Sequence, residues 1–418
     1  MPEATEPAAQ RTTLPASCDV LVIGAGPAGS ACAQRLAAAG VDVVLIDQHD
    51  FPRDKICGDG LIPDAHAAFR AMGVYDELAA LWQPAQHVRC VGPRGKHCDV
   101  PGAVSVLPRK VLDEVLVRAA ERAGAKLMTP LRFEAPLEDE RGRVIGARLR
   151  AGEATREVQA RWVVLATGAV PQALSAAGLC ERHTPSGVAL RTYVRHEGLR
   201  DHIRQLQFVW HPRMRGGYGW IFPAPGGVFN IGAGHPGSHS KLKSGKGRMQ
   251  DVNLRHFFET FCEVYEPARR LMSEGERLGE LKGAPLRCSL LGARWSRDGL
   301  LVSGEAAGST YAFSGEGIGK ALETGLLAAD ALLASPRTGS DDAHLRQRYE
   351  AGLLGLKPKF DLYERASRVN DHPWLADLVI WRANKSARIM ARMSAVIEEK
   401  QNPGFLLSWR GMRKLLTE

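Results

Sequence analysis

The first sustained apolar run in the chain, Val20-Leu21-Val22-Ile23, has the length and branching of a buried strand. It leads straight into Gly24-x-Gly26-x-x-Gly29. An alanine-rich stretch of helical period follows to Ala39, and Gly40 ends it. A second apolar run, Val41 to Ile46, closes on Asp47. Strand, glycine turn, helix and strand make a β-α-β unit with a dinucleotide fingerprint in its first turn. Gly24 permits the tight turn, Gly26 lets the backbone approach a pyrophosphate, and Gly29 lets helix and strand pack closely. The helix N-terminus presents free N–H groups and a partial positive charge to the phosphates. Asp47, at the end of the second strand, is placed to accept hydrogen bonds from a ribose. The pattern leaves open whether the dinucleotide is FAD or NAD(P).

Beyond this unit, residues 111–123 have helical period and Gly124 ends them; Lys126 to Thr129 reads as a strand. Residues 131–150 alternate about a turn at Arg141-Gly142-Arg143, the mark of a hairpin. Arg161 to Ala166 is another buried strand, ending in Thr167-Gly168-Ala169. Residues 186–235 alternate and are richer in aromatics, as expected of a separate sheet, and residues 252–280 read as helical. A second strand-to-glycine turn then appears, Leu300-Leu301-Val302-Ser303-Gly304-Glu305, followed by Ser314-Gly315-Glu316-Gly317-Ile318-Gly319 and a helix to about Leu333.

Two nucleotide-type turns so far apart predict an α/β fold with a discontinuous Rossmann-like cofactor domain, an inserted antiparallel β-sheet substrate domain and a helical C-terminal extension. The expected boundaries are a disordered leader over 1–17, a cofactor domain over 18–84, 109–178 and 287–341, a substrate domain over 85–108 and 179–286, and the helical region over 342–418.

Composition narrows the function classes. The chain has 418 residues, with 44% hydrophobic and 24% charged, as in a globular protein. The net charge of +9 suits anionic partners, but no interleaved basic-aromatic motif points to nucleic acid. The eight cysteines show no CxxC or zinc spacing, which points to reduced thiols in a cytoplasmic setting. Thirteen histidines are scattered without ligand spacing, so no metal is expected. No signal-peptide pattern and no spanning apolar run is present.

Five pieces together resemble the geranylgeranyl reductase family of FAD-dependent oxidoreductases, within the wider group of para-hydroxybenzoate-hydroxylase-like flavoproteins. They are GAGPAGS at 24–30, FPRDKICGDGLIP at 51–63, LPRKVLD at 107–113, GYGWIFP at 217–223, and GEAAGSTYAFSGEGIGKALETGLLAA at 304–329. The resemblance implies FAD as cofactor. It implies that Gly24, Gly26, Ala28 and Gly29 hold the pyrophosphate turn and Asp47 the adenosine ribose. Cys57, Gly58 and Gly60 would run along the flavin, and Arg109 would reach its phosphate–ribityl region. The strand at Phe133 would meet the adenine through its backbone, and Glu305 the ribityl or ribose hydroxyls. Gly317 and Ile318 would open a helix whose N–H groups face the isoalloxazine, where reduced flavin carries negative charge. Two departures stand out. Thr167-Gly168 replaces the Asp-Gly of many relatives, which speaks against a nicotinamide role there. Ala312-Phe313 replaces an Asn-Pro on the substrate side, so substrate choice is expected to differ.

The implied reaction is reduction of carbon–carbon double bonds in a prenyl chain of a lipid or quinone. An external donor, NAD(P)H, ferredoxin or a reductase, would reduce the flavin. The alternatives are a flavin monooxygenase or halogenase acting on an aromatic or carrier-bound substrate, and an electron-relay flavoprotein. Cys57, before an apparently flexible Gly58-Asp59-Gly60, either supplies a proton and lines the pocket or contacts the cofactor by its backbone alone. Tyr218 and Trp220 share one strand face, as pocket lining or as a core stripe. Glu316 is either a general acid or a structural carboxylate paired with Lys or Arg. The C-terminal helices, with Arg382, Lys385, Arg388 and Arg392, suit either an anionic membrane surface or packing on the core with a solvated charged face.

Overall fold

The computed structural model describes residues 14–237, 252–335 and 342–400. The expected leader lies outside them up to residue 13. The first sheet has eight strands; five are parallel, in the order Leu300–Val302, Ala154–Leu165, Ser17–Ile23, Val43–Ile46 and Lys126–Met128, and Ser296–Arg297 adds an antiparallel edge beside Leu300–Val302. A meander, Arg132–Glu138 and Val144–Ala151, joins the outer half of Ala154–Leu165. The central strands are apolar on both faces because both are covered, as a parallel sheet requires. Val22, Leu45 and Val164 pack on the helical side, with Leu36, Val117 and Ala328. Leu21, Val44 and Val163 pack on the other, with Phe133 and Leu174.

Close approach of backbone sets this half. A Cβ at Gly29 would lie 1.8 Å from the Gly24 carbonyl oxygen, so only glycine lets the helix Pro27–Ala38 sit on its strand. A Cβ at Gly325 would lie 2.2 Å from the Ala28 carbonyl oxygen. The late helix Ile318–Leu333 therefore rests directly on the fingerprint helix.

The second sheet runs in the order Glu276–Arg277, Gly187–Arg195, Val228–His235, Tyr218–Ala224, Leu206–Val209, Gln83–Val91, His97–Val106 and Gly60–Leu61. Lys282–Leu286 also pairs with Gly187–Arg195. One pairing departs from the antiparallel expectation: Leu206–Val209 lies parallel to Gln83–Val91. The two strands come from different insertions, each with its own antiparallel neighbour, so no tight turn dictates the direction of the joint. The helical reading of 252–280 is shorter in fact. Helices Leu254–Val264 and Glu266–Glu274 cover one face of this sheet, and the chain then returns to its edge.

The C-terminal region is helical, with Asp342–Ala366, Arg368–Asp371, Trp374–Ala383 and Ala387–Ile397. The last two pack on the other face of the second sheet through Leu375, Ile380 and Ile389.

Gly29→Ala is expected to push the helix off its strand and cost about 1–3 kcal/mol, read as a lower denaturant midpoint at unchanged slope.

Candidate active site

A cavity of about 750 Å³ lies between the two sheets and the C-terminal helices. Gly24, Gly26, Ala28, Asp47, Cys57, Gly58, Gly60, Arg109, Phe133, Tyr218, Trp220, Glu305, Gly317 and Ile318 all line it. Of the residues nominated for the cofactor, Gly29 stands behind the wall, where its role is packing, and Ala312 of the substrate-side pair does not line the cavity although Phe313 does.

At the fingerprint end, Asp47 Oδ2 accepts from Ala25 N at 3.0 Å and Arg53 Nη2 at 3.3 Å, and Oδ1 accepts from His49 N at 3.0 Å. Arg53 Nη1 donates to Asp113 at 3.0 Å, and Arg109 grips the same carboxylate with two bonds of 2.7 and 2.8 Å. Burial alone would lower the Arg109 pKa; Asp113 beside it outweighs burial and holds the guanidinium charged. A Cβ on Gly26 would come within 3.7 Å of Arg53 Nη2 and 3.8 Å of Arg109 Nη2, so both cations flank the turn. The helix behind it has no side-chain cap and no acidic residue in its first turn. Its N–H groups and two guanidiniums, Arg109 buried and Arg53 nearly so, are what a pyrophosphate needs. Arg53 Nε and Thr167 Oγ1, both on residues lining the cavity, are buried without a hydrogen-bond partner. Sequence reasoning missed Arg53 and Asp113. The i,i+4 spacing of Arg109 and Asp113 was the available signal.

The loop after Cys57 is not flexible. Asp59 is fully buried with φ of 66°. Its Oδ2 accepts from Tyr193 Oη at 2.5 Å and Asn230 Nδ2 at 2.8 Å, and its Oδ1 from Arg109 N at 3.3 Å. Asn230 Nδ2 also donates to the Cys57 carbonyl at 2.8 Å, and Trp220 Nε1 donates to Asn230 Oδ1 at 2.9 Å. Burial pushes the Asp59 pKa up to about 6, against these donors and the nearby Arg191 and Arg109. Burial likewise raises the Cys57 thiol, against the pull of Arg109, so the thiol stays neutral.

The other end of the cavity is apolar. Tyr218, Trp220 and Phe222 project from one strand, and Phe208 packs on Phe222 with ring centroids 5.1 Å apart. Tyr218 Oη donates to the Ser314 carbonyl at 2.5 Å, and burial raises its pKa. Phe313, one of the two unusual positions, stacks on Trp210 at 6.3 Å and 10°. Ala312 beside it is buried. Val369, Ile380, Met393 and Ile397 close the cavity from the C-terminal helices.

Glu305 Oε1 lies 3.3 Å from Thr310 Oγ1 and 3.4 Å from Arg287 N, both donors. Gly317 caps Ile318–Leu333 without a side-chain bond. Glu316 lines the cavity and meets Asp64 and Glu399, one oxygen of each lying within 4.8 Å of the others. Sequence did not foresee this acidic group. Lys320 Nζ, 3.3 Å from Asp64 Oδ2 and 3.0 Å from Glu399 Oε2, already supplies a cation there.

Residues 17–212 match the model of an FAD binding domain family. A menaquinone reductase of Mycobacterium tuberculosis is 32% identical over 358 residues, 81% of this chain and 82% of that protein. A digeranylgeranylglycerophospholipid reductase of Methanopyrus kandleri is 30% identical over 340 residues, 79% of this chain and 81% of that protein. The chain belongs to the geranylgeranyl reductase family of FAD-dependent oxidoreductases. FAD is the cofactor of this flavoenzyme. Solved structures share its fold. A geranylgeranyl bacteriochlorophyll reductase-like protein from Thermoplasma acidophilum has a TM-score of 0.68 at 20% identity, over 96% of both chains. The flavin-dependent brominase Bmp2 has a TM-score of 0.71 at 18% identity, over 96% of this chain and 98% of its own.

The Asp59 site gives the reductase-family chain a pH signature. Folding raises this pKa from 3.8 to about 6, so the folded chain holds the proton longer than the unfolded one. The contribution of Asp59 is fully present below about pH 4 and is lost as pH rises to about 6. The stability difference between wild type and Asp59→Asn should therefore grow by about 2–3 kcal/mol from pH 6 down to pH 4. Urea melts at both pH values measure it; a constant difference would sink the assignment.

Proposed function

We propose that this flavoenzyme reduces carbon–carbon double bonds in an isoprenoid chain carried by a lipid or quinone. The observation that carries this reading is the continuity of one cavity from the cationic fingerprint turn to a wall of aromatic and aliphatic side chains. Menaquinone and digeranylgeranylglycerophospholipid, for which the relatives are named, have an isoprenoid chain in common.

In this reading Arg53, Arg109 and the helix starting at Pro27 hold the FAD pyrophosphate, Asp47 the ribose and the Phe133 strand the adenine. Cys57, Gly58 and Gly60 run along the flavin. Glu305 meets ribityl or ribose hydroxyls, and the N–H groups after Gly317 face the isoalloxazine. Bound and reduced, FAD supplies a hydride equivalent. The chain's own residues orient the alkene and exclude water: Trp220, Phe222 and Phe313 on one side, the C-terminal helices on the other. Two electrons per double bond come from an external donor of the NAD(P)H, ferredoxin or reductase class.

A monooxygenase or halogenase reading rests on neighbours whose low identity supports the fold alone. The two readings separate in one experiment. The FAD-loaded chain is photoreduced without oxygen and mixed with menaquinol, whose ring is already reduced, so that only the side-chain double bonds can take the electrons. Reoxidation of the flavin, with two hydrogens added per reduced double bond by mass spectrometry, is the expected result. No reoxidation by the alkene, together with an oxygenated or halogenated product once oxygen is admitted, would overturn the reductase reading.

Such a substrate resides in a membrane, and we assign the docking face to the helix Trp374–Ala383. Its inner residues Ala376, Val379 and Ile380 line the cavity. Its outer face exposes Trp374 at 56% and Trp381 at 40%. Lys385 Nζ lies 4.8 Å and the Arg382 guanidinium 5.7 Å from the Trp381 ring centroid, which gives this face positive charge. Exposed tryptophans beside cations suit an anionic lipid surface. Among the described residues no helix is long and apolar enough to cross a membrane. Replacing both tryptophans by alanine should weaken sedimentation with phosphatidylglycerol vesicles about tenfold or more, with no change for neutral vesicles.

A further inference from the structure

Reducing an isolated alkene needs a proton as well as a hydride, and the cavity has few groups able to give one. Of the groups that line it, Tyr218 already donates to the Ser314 carbonyl, and burial makes the Cys57 thiol a weaker acid. Glu316 lines the cavity immediately before Gly317 and the helix that opens there. Its Oε1 is buried and accepts no hydrogen bond, and the buried Oδ2 of Asp64 has only the Lys320 ammonium at 3.3 Å. The two carboxyl groups are neighbours, together with Glu399, inside 4.8 Å. The Asp64 and Glu316 carboxyl groups lie in hydrogen-bonding reach of each other, so one proton held between them gives Glu316 a partner and relieves the repulsion of two like charges.

The charges around them require the same. The ammonium of Lys320, 2% exposed, is shared by Asp64, Glu399 and, at 2.8 Å, Glu323. Glu399 also takes Lys359 Nζ and accepts from Tyr311 Oη at 3.0 Å. Tyr363, stacked on Tyr311 at 3.8 Å, covers the remaining side. Asp64, Glu316 and Glu399 thus face the two cations Lys320 and Lys359, and Glu323 lies at the rim, 39% exposed. A proton on the Asp64–Glu316 pair balances the buried set.

Resting on the reductase reading, we propose that Asp64 and Glu316 share one proton and that Glu316 delivers it to the alkene. The electron pair of the double bond takes this proton at one carbon, and the other carbon takes the hydride equivalent. One C–H bond forms at each carbon, and two electrons pass from the reduced cofactor to the alkene. The carboxylate left on Glu316 regains its proton from solvent past Asp64, Lys320 and the exposed Glu323. Burial raises the Glu316 pKa well above the usual carboxylate range, and the neighbouring Asp64 and Glu399 raise it further against Lys320. Both effects favour a proton on the pair.

The test has two arms on the full chain. In the cofactor-free chain, infrared spectra should show a protonated-carboxyl C=O band that shifts in D2O. The band should be absent in Glu316→Gln and retained in Glu316→Asp, which separates loss of the acid from loss of the fold. In the FAD-loaded chain, Glu316→Gln should bind FAD and be reduced by dithionite as wild type is. Anaerobic reoxidation by the side-chain alkene of menaquinol should then slow by about 100-fold or more. The wild-type rate should fall as pH rises through the apparent pKa of the pair, and this limb should be missing in the variant. No Glu316-dependent band, or a variant that matches wild type in rate and pH profile, overturns the proposal. Failure of wild type itself to reduce any prenyl alkene overturns the reductase reading instead, while the infrared arm still decides whether the proton is shared.

Discussion

Everything in this molecule hangs on the burial of one carboxylate. Asp59 sits in a left-handed turn with no exposed surface, and its oxygens are satisfied only by groups from other parts of the chain. The Tyr193 hydroxyl and the Asn230 amide arrive from the second sheet, and the Arg109 amide from the start of a helix on the first. A buried carboxylate lacking these partners would cost several kcal/mol, so the three arrive together or the loop does not form. Gly60 and Leu61 continue from it into the second sheet, paired with Val106 and Ser105. The boundary between cofactor half and substrate half therefore passes through the loop, and each half supplies what the other needs.

The electrostatics follow a gradient along the cavity. At one end Asp47, Arg53, Asp113 and Arg109 alternate in sign, so the two guanidiniums are fixed in place by the carboxylates between them. Held this way beside Gly26, they add to the pull on an anion from the uncapped helix and from the donor atoms still without partners. At the other end aromatic rings and aliphatic side chains replace polar groups, and the hydrogen bonds of Tyr218 and Trp220 turn into the wall rather than into the space. A ligand with one charged and one long apolar part matches this order, whereas a uniformly polar one would leave the second end unsatisfied.

Much of the frame was legible in the residues. Period and glycine spacing revealed the fingerprint unit, the late turn at Gly304-Glu305, the aromatic strand and the helical end, because each is a local pattern. The resemblance carried distant residues to one cavity, and of those nominated for the cofactor all but Gly29 line it. The hub was not legible. Asp59 and Tyr193 are 134 positions apart, and Asp59 and Asn230 are 171 apart, so only the tertiary path makes them partners. Between two glycines, Asp59 looked like an ordinary turn residue. Glu316 reads from sequence as a general acid or as a carboxylate paired with Lys or Arg, because nothing local announces that Asp64 and Glu399 meet it. The parallel joint between Leu206–Val209 and Gln83–Val91 was hidden for the same reason: strand direction across two insertions is a property of their meeting.

The order of strands in the first sheet also sets a timetable. Ala154–Leu165 must be flanked by Leu300–Val302, and the fingerprint helix must be covered by Ile318–Leu333. On a ribosome the first turn emerges long before the strand and helix that complete it. At about 5–20 residues per second, the interval is on the order of 15–60 s. During that time some of the most apolar strands of the chain wait with a face or an edge open, a state prone to wrong pairing. The nucleotide pocket that is first in the sequence is therefore among the last to be completed, since its wall needs segments made near the end of synthesis.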